Sequence, residues 1–213
     1  MLSRVLELYL TRSEFYLGLV GQHLKIAGIA IVISIVVGVG IGVLIYMVPK
    51  LAPAVTGVIN VVYTIPSIAL LGFLIPVTGV GNTTAIIALT TYAMMPMVRN
   101  TYAGLTTIDP SIRQAAIGMG TTKMQMLFRI ELPLAFTVIL SGMRNMVVMT
   151  VSMCGIASFI GAGGIGVAIY RGITTYDMAM TVSGSILIAL LALVLDGLFG
   201  ILEKTVKKKW RLG

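Results

Sequence analysis

Long apolar runs separated by short polar stretches dominate this chain. A membrane-spanning helix needs about 20 mostly apolar residues, and runs of that kind lie at residues 24–46, 54–75, 82–104, 134–160 and 179–202. Pro and Gly residues mark the breaks between the first three runs, as they do at helix ends. The pattern predicts an all-α, polytopic membrane protein with about five transmembrane helices. A Gly-rich run at residues 155–175 fits either a re-entrant piece or a sixth short span.

Composition supports the same class of protein. The chain is 58% hydrophobic and 10% charged, and its mean hydropathy is +1.04, which is more apolar than a soluble domain of this length requires. The formal net charge is +8, but the basic residues gather in short loops and at the C-terminus. That distribution indicates membrane topology and not a nucleic-acid-binding face. The single cysteine, Cys154, excludes an internal disulfide.

The basic residues also predict the orientation, because cytoplasmic loops of membrane proteins are enriched in Lys and Arg. The segments expected inside carry Lys50, Arg99, Arg113, Lys123, Arg129, Lys204, Lys207, Lys208, Lys209 and Arg211. The segments expected outside carry Arg4, Arg12, Lys25 and Arg171. We therefore expect a multi-pass protein of the cell membrane with its N-terminus outside and its C-terminus in the cytoplasm. Residues 1–22 would form an external amphipathic surface helix, 23–202 the transmembrane domain, and 203–213 a basic cytoplasmic tail.

A patterned polar loop at residues 109–133 interrupts the apolar runs. Asp109 is a strong N-cap and Pro110 suits the first helical turn, so a short helix is expected to begin there and to weaken at Gly118 and Gly120. Thr122 and Gln125 have the spacing of a capping box, which predicts a second short helix.

Two further features of the second helix follow from the sequence. Met124, Leu127 and Phe128 are expected on one face of it, and Pro133 is expected to end the unit and lead into the next span. An ordinary structured loop between two spans would account for the capping signals alone.

The spacing within the loop is more specific. The residues Gln114-Ala115-Ala116 are followed after three residues by Gly120, and after nine more by Ile130-x-Leu132-Pro133. This resembles the EAA loop of ABC importer permeases, in which Glu stands where this chain has Gln114. The resemblance implies a type I permease fold, with a two-helix cytoplasmic loop that docks onto a separate ATPase subunit. The coupling residues it implies are Gln114, Ala115, Ala116, Met119, Gly120, Thr121, Ile130, Leu132 and Pro133. Since Gln keeps the length but loses the charge of Glu, docking here is expected to depend more on shape.

Three more segments resemble the permeases of osmoprotectant importers for glycine betaine, carnitine and choline. They are Tyr63–Ser67, Met95–Gly104 and Ile160–Gly166. Methionine-type permeases share the five-span plan and the loop, so an amino acid is the alternative cargo. A channel or membrane scaffold without a motor is a remote alternative, because it leaves the loop spacing unexplained.

The chain has no G-x-x-x-x-G-K-[ST] phosphate loop and no paired carboxylates. We therefore expect a transport subunit and not an enzyme, with no bound cofactor or metal of its own. The resemblance implies that ATP and Mg²⁺ bind to the partner chains. The expected partners are two ATPase subunits, a second permease copy or paralogue, an extracellular or periplasmic binding protein and membrane lipid, and no nucleic acid.

Two ionisable residues fall inside the predicted spans, where they are costly and often functional. Arg144 lies about 16 Å along a helix from Pro133, and Asp196 about 12 Å from Lys204. These similar depths predict an Arg144–Asp196 pair that acts as a state-dependent latch; the alternative is that Arg144 reaches the membrane surface and Asp196 has a neutral partner.

The methionines of the third and fourth spans are the other candidates for the transport path. Met94, Met146, Met149 and Met153 would form an adaptable surface, with ordinary helix packing as the alternative. The tyrosines at 63, 92 and 102 form no evident cage for a cation. The glycines Gly38 and Gly42 permit close helix approach, either within the chain or across a dimer.

Overall fold

A computed structural model describes residues 1–210, with side chains described through Lys208, and every regular element in this part of the chain is helical. The α-helices are α1 (Leu2–Thr11), α2 (Ser13–Met47), α3 (Ala52–Thr64), α4 (Ser67–Thr78), α5 (Asn82–Thr106), α6 (Pro110–Gly118), α7 (Lys123–Met126), α8 (Leu132–Cys154), α9 (Gly166–Thr174) and α10 (Met178–Trp210). Short 3-10 turns at Pro49–Leu51 and Ile156–Ile160, and a π-helical turn at Leu127–Glu131, join some of them. The expected tail residue Arg211 lies outside the described residues.

The all-helical, apolar architecture confirms the predicted class. Among the described residues, three stretches are long and apolar enough to cross a membrane: Ser13–Met47, Lys123–Cys154 and Met178–Lys208. The pair α3 and α4 makes a fourth if it counts as one span. Helix α5 is less apolar because it lies between other helices, with its largest interfaces against α2 and α8. Polar side chains such as Thr84 and Thr101 are fully buried there, so α5 has little need of a lipid-facing surface.

The run at 54–75, predicted as one span, is a broken helix. Helices α3 and α4 meet at an angle of 99°. Pro66 contributes to the break, because proline disfavours the helical conformation at the residue before it. Ile65 is accordingly extended, with φ −70° and ψ 124°.

The N-terminal segment divides earlier than the expected boundary at residue 22. A kink at Arg12 separates α1 from α2, and α2 then runs without interruption for 35 residues. Only Leu2–Thr11 forms a separate helix. It lies along α10, where the hydroxyl of Tyr9 donates a hydrogen bond to the carbonyl of Ser183 at 2.7 Å.

The glycine spacing on α2 serves packing within the chain. A Cβ atom on Gly38 would lie 2.5 Å from the Cβ of Met97, and one on Gly42 would lie 2.5 Å from the Cβ of Thr101. Both distances are too short for a side chain. Of the two alternatives for these glycines, close approach of α2 to α5 is therefore the one that the structure shows.

The Gly-rich run forms a tight corner at the end of α8 opposite the 109–133 loop. We call Gly161–Gly166 the Gly corner. Helix α9, which follows it, has nine residues and is about 14 Å long, so the alternative of a sixth span is wrong. Instead, α9 turns back and packs against α10.

Two polar side chains from α2 hold the Gly corner in place. His23, which is fully buried, donates from Nε2 to the carbonyl of Val151 at 2.9 Å and accepts at Nδ1 from the N–H of Ile165 at 3.3 Å. Gln22 accepts from the N–H of Gly164 at 3.2 Å. These bonds satisfy backbone groups that would otherwise be unpaired inside the protein.

Candidate functional site

The 109–133 loop begins with a capped helix, as the sequence predicts. The carboxylate of Asp109 accepts a hydrogen bond from the N–H of Ser111 at 2.8 Å, and this bond lowers the pKa of Asp109 below its ordinary value. Helix α6 follows, with Pro110 at its first position. The predicted N-cap is confirmed.

The end of α6 is a Schellman motif that requires glycine. Gly120 has φ +77° and donates to the carbonyl of Ile117 at 2.9 Å, while Thr121 donates to the carbonyl of Ala116 at 3.1 Å. A side chain at Gly120 would be strained by the positive φ. Gly118 has an ordinary backbone conformation and open space around it, so only one of the two glycines ends the helix.

The predicted capping box of the second helix is also confirmed. The N–H of Gln125 donates to the Thr122 hydroxyl at 3.3 Å, and the N–H of Thr122 donates to the Gln125 side chain at 3.0 Å. Helix α7 begins at Lys123 and passes through the π-helical turn directly into α8.

The expectation that Pro133 ends this unit is wrong. Pro133 lies in the first turn of α8, and the chain is helical from Lys123 to Cys154. Proline lacks the N–H of a regular helical bond, and a π-helical turn just before it lets the helix continue. The wider turn also changes the predicted face: Leu127 is buried whereas Met124 and Phe128 are exposed.

The loop presents an apolar surface. Ile117 is 64% exposed and Met119 77% exposed, and Gln114, Ala115 and Gly120 beside them are also exposed. Ala116 is buried instead, and packs toward the rest of the protein. The other residues implied by the motif, Thr121, Ile130, Leu132 and Pro133, are half-buried. Large apolar side chains grouped on an exposed loop indicate a protein contact.

A cluster that sequence reasoning missed joins this loop to the spans. Glu131 is buried and accepts from Nε of Arg113 at 2.8 Å and from the hydroxyl of Tyr46 at 2.5 Å. Arg113 also donates to the carbonyl of Leu105 at 2.5 Å, and its guanidinium lies 5.6 Å from the Tyr46 ring centroid.

This cluster connects the end of α2, the end of α5, α6 and the π-helical turn. The signal in the sequence is a carboxylate, Glu131, at the start of the apolar run that follows it. Such a group needs a partner, but the sequence does not say which.

The structure places Arg144 and Asp196 in direct contact. The guanidinium of Arg144 donates from Nε and from Nη2 to the two carboxylate oxygens of Asp196, each at 2.6 Å. Glu203 lies 3.6 Å from the same guanidinium. The pair links α8 to α10, and both side chains are about one third exposed. Its role as a latch stays a prediction.

The four candidate methionines have separate surroundings. Met146 is fully buried in the core between α5 and α8, and Met94 packs against α2 at Gly38. The sulfur of Met149 accepts a hydrogen bond from the Tyr63 hydroxyl at 3.5 Å. Met153 borders a small cavity beside Tyr92. Their role in the transport path stays a prediction.

No metal site is evident in the described part of the chain, where no group of three or more His, Cys, Asp or Glu side chains could hold an ion. The apolar helices and the protruding, capped helix pair define an integral membrane protein that is built to contact another protein. Residues 30–208 match the family described as "Binding-protein-dependent transport system inner membrane component", and the chain belongs to this family. It is a multi-pass membrane component of the ABC importer permease type.

Curated relatives cover nearly the whole chain. The carnitine transport permease protein OpuCB of Listeria monocytogenes is 39% identical over 188 residues, which are 88% of this chain and 86% of that protein. The glycine betaine/carnitine/choline transport system permease protein OpuCB of Bacillus subtilis is 35% identical, over 89% of this chain and 87% of its own length. The osmoprotectant import permease protein OsmW of Salmonella typhimurium is 38% identical, over 94% of this chain and 95% of its own length.

Solved structures share the fold. An inward-facing structure of the MetNI methionine ABC transporter has a TM-score of 0.85 at 23% identity, and covers 92% of this chain and 98% of its own. An amino acid ABC transporter with histidines has a TM-score of 0.78 at 19% identity, over 92% of this chain and 96% of its own. At these identities the likeness concerns the fold alone.

Proposed function

We propose that this chain is the permease subunit of an importer for osmoprotectants such as glycine betaine, carnitine and choline. The proposal is supported by relatives that bear those substrates in their names and are 35–39% identical over most of the chain. An amino acid such as methionine is the alternative cargo; the likeness to the methionine transporter structures extends only to the fold and does not support that cargo.

The proposed assembly contains two permease subunits, either two copies of this chain or this chain and a paralogue. Two ATPase subunits bind the 109–133 loops in the cytoplasm, and they alone hold ATP and Mg²⁺. A binding protein delivers cargo at the opposite face, near the Gly corner. The N-terminus then lies outside and the C-terminus in the cytoplasm, in agreement with the distribution of Lys and Arg.

The proposed mechanism is supported mainly by the structure of the 109–133 loop. Helix α6 is capped at both ends and exposes Ile117 and Met119. The Arg113–Glu131–Tyr46 cluster behind it connects α6 to α2 and α8. A partner that moves α6 during its ATP cycle would therefore move the spans as well, since a hydrogen-bonded and packed link transmits displacement.

The test is the ATPase activity of the complete complex in nanodiscs, titrated with binding protein and glycine betaine. We expect stimulation that requires both. Stimulation by methionine in place of glycine betaine would keep the mechanism and overturn the cargo. If no ATPase subunit co-purifies with the chain and none is stimulated, the proposal fails.

A pair of matched variants tests the docking surface. Met119→Glu places a charge on the exposed apolar surface of the loop, and we expect it to release the ATPase subunits during purification. Met178→Glu makes the same change at an exposed methionine near the start of α10, far from the loop, and should leave their retention unchanged. Equal retention in both variants would contradict docking at Met119.

A further inference from the structure

The break between α3 and α4 is an unusual element for a membrane protein. It lies at residues 65 and 66, the middle of the apolar run 54–75, and Thr64 and Pro66 are exposed at the surface of the chain. Irregular backbone at membrane depth is tolerated where it is covered by protein or lines a water-filled cavity, and not where it faces lipid. The exposed break therefore faces a partner subunit or an aqueous path.

Two aromatic rings lie beside this break. Tyr63 is 45% exposed, and its ring centroid is 6.0 Å from that of the buried Tyr92, with the planes tilted by 59°. The Tyr92 hydroxyl donates to the carbonyl of Ile65, and the Tyr63 hydroxyl donates to the sulfur of Met149. Both rings are thus held in position at the bend, and the face of an aromatic ring attracts a cation.

A guanidinium lies over the same ring. The Arg99 guanidinium carbon is 5.9 Å from the Tyr63 ring centroid, and Arg99 donates to the side-chain oxygen of Asn60. Arg99 is seven residues before the end of α5, about 10 Å inside that end, so it belongs to the span and not to the loop where the sequence placed it.

Arg99 is exposed at the surface of the chain, and its partners distinguish it from two other arginines. Arg144 pairs with Asp196, and Arg113 pairs with Glu131. Within the described part of the chain, Arg99 has no carboxylate within ion-pair distance. A cation at membrane depth without a counter-ion is costly, and a guanidinium offers a bidentate site for a carboxylate. The site is therefore suited to a ligand that brings its own carboxylate.

We propose that Arg99, Tyr63 and Tyr92 form a cargo-binding station at the α3–α4 break for a small zwitterion with a quaternary ammonium and a carboxylate. Arg99 binds the carboxylate, which draws the guanidinium away from Tyr63. The ammonium then takes the place of the guanidinium over the ring. Asn60 positions Arg99 in the empty site. The proposal rests on the osmoprotectant function proposed above and adds a binding site within the permease itself.

The station makes a specific distinction among the proposed cargoes. Glycine betaine and carnitine carry both groups, whereas choline carries the ammonium and a hydroxyl. Removal of the guanidinium should therefore weaken binding of glycine betaine but not binding of choline, which gains access to a ring that the guanidinium no longer occupies. Removal of the Tyr63 ring should weaken both, because both use the ring for the ammonium.

The experiment measures binding of glycine betaine and of choline to the nucleotide-free complex in nanodiscs, without binding protein, by saturation-transfer difference NMR titration. We expect Arg99→Gln to weaken binding of glycine betaine about tenfold, the loss of one charge-assisted pair, and Arg99→Lys to be intermediate. Tyr63→Leu should weaken both ligands, and Tyr63→Phe should bind like the wild type. Tyr170→Leu, at a half-exposed tyrosine on α9, is the matched control and should change neither.

Retention of the ATPase subunits and an unchanged thermal unfolding midpoint show that each variant is folded. Binding of glycine betaine that Arg99→Gln leaves unchanged would overturn the station. The station would also be overturned if the wild-type complex imported glycine betaine with its binding protein but bound none without it. In that case the proposed function would stand. If the wild type neither imports glycine betaine nor is stimulated by it, the proposed function itself has failed.

Discussion

The two ends of α8 use glycine in opposite ways. At the Gly corner three of the glycines, Gly163, Gly164 and Gly166, are surrounded: a Cβ on Gly166 would overlap the carbonyl oxygen of Gly155 and lie 2.7 Å from the Ser158 hydroxyl. In the 109–133 loop, a Cβ on Gly118 or Gly120 would meet nothing within 4 Å. One end needs glycine for close packing, whereas the other needs it at one position for a turn.

The two ends of α8 therefore differ in what their glycines are needed for: packing within the chain at one end, and the shape of an exposed loop at the other. The Gly corner is completed by this chain itself, through the buried His23 and the neighbouring Gln22. The loop leaves Ile117 and Met119 exposed, so its apolar surface is available to another protein. Substitutions at the Gly corner should therefore act on folding, and substitutions in the loop should act on coupling.

The largest effect is expected for Gly166→Ala. The added methyl group collides with backbone, which cannot move aside as a flexible side chain can, and we expect a loss of about 3 kcal/mol, the upper end of the usual cost of overpacking. The measurement is the yield and thermal unfolding midpoint of the purified complex. Gly161→Ala is the control, since Gly161 has φ +75° but open space around it, and its strain should cost about 1 kcal/mol. Similar losses in the two variants would contradict the steric argument.

Glu131→Gln should break the link behind the loop. It removes the charge that pairs with Arg113, and because Arg113 is 26% exposed we expect a cost of about 1–3 kcal/mol, less than for a fully buried pair. Transport per ATP hydrolysed should fall while the ATPase subunits stay bound. Tyr46→Phe removes one hydrogen bond and leaves the ion pair, so its effect should be smaller. A Glu131→Gln variant with wild-type coupling would show that the cluster is not part of transmission.

Gly120→Ala should reduce coupling with little effect on the stability of the spans. A non-glycine residue at its positive φ costs about 1 kcal/mol and distorts the turn that carries Met119. The readout is the stimulation of ATPase activity by binding protein and cargo. Gly118→Ala adds the same methyl group where the backbone is helical, and stimulation there should be normal. Normal stimulation in both variants would mean that the turn geometry is not required.

The Arg144–Asp196 ion pair lies between the two ends of α8. Variants of this pair test whether it has a role in transport. If the pair is a latch, Asp196→Asn should change transport, and exchange of the two charges in a double variant should recover part of it. Transport is measured by uptake into proteoliposomes. A double variant that recovers neither assembly nor transport counts against a functional pair.

The smallest effect is expected at Asp109. Its native pKa is depressed by the bond to Ser111, so its contribution to the α6 cap is complete above the ordinary aspartate pKa. That contribution is lost as the pH falls through the native value. Asp109→Asn keeps the acceptor without the charge, and amide exchange of α6 should match the wild type at neutral pH. At acid pH the wild type alone should lose protection, and a parallel loss in the variant would contradict this assignment.

Local signals accounted for much of the loop and of the spans. The cap at Asp109 and the capping box at Thr122 were readable because each depends on residues no more than three apart. The faces around Leu127 and the role of Pro133 were predicted wrongly. Both depend on the π-helical turn, which arises where a proline, the packing of α8 and the link at Glu131 meet.

Side-chain pairs that are far apart in the sequence could be predicted only where few partners were possible. Two opposite charges at similar depth were enough to suggest the Arg144–Asp196 pair. The partners of Glu131 were not predictable, since Arg113 is 18 residues away and Tyr46 is 85 residues away. Tyr63 and Tyr92 likewise come together only where α3 packs against α5.

The sequence by itself determined the class of protein, because apolar runs long enough to cross a bilayer and capped polar helices are local properties of the chain. It also determined the family through the spacing from Gln114 to Pro133. Tertiary structure decided which glycines are enclosed, how far α3 and α4 bend, and which partners Arg99 and Glu131 have. The physical reason is that packing and ion pairing require side chains to lie close together in space. Which side chains do so is decided only when separate helices pack against each other.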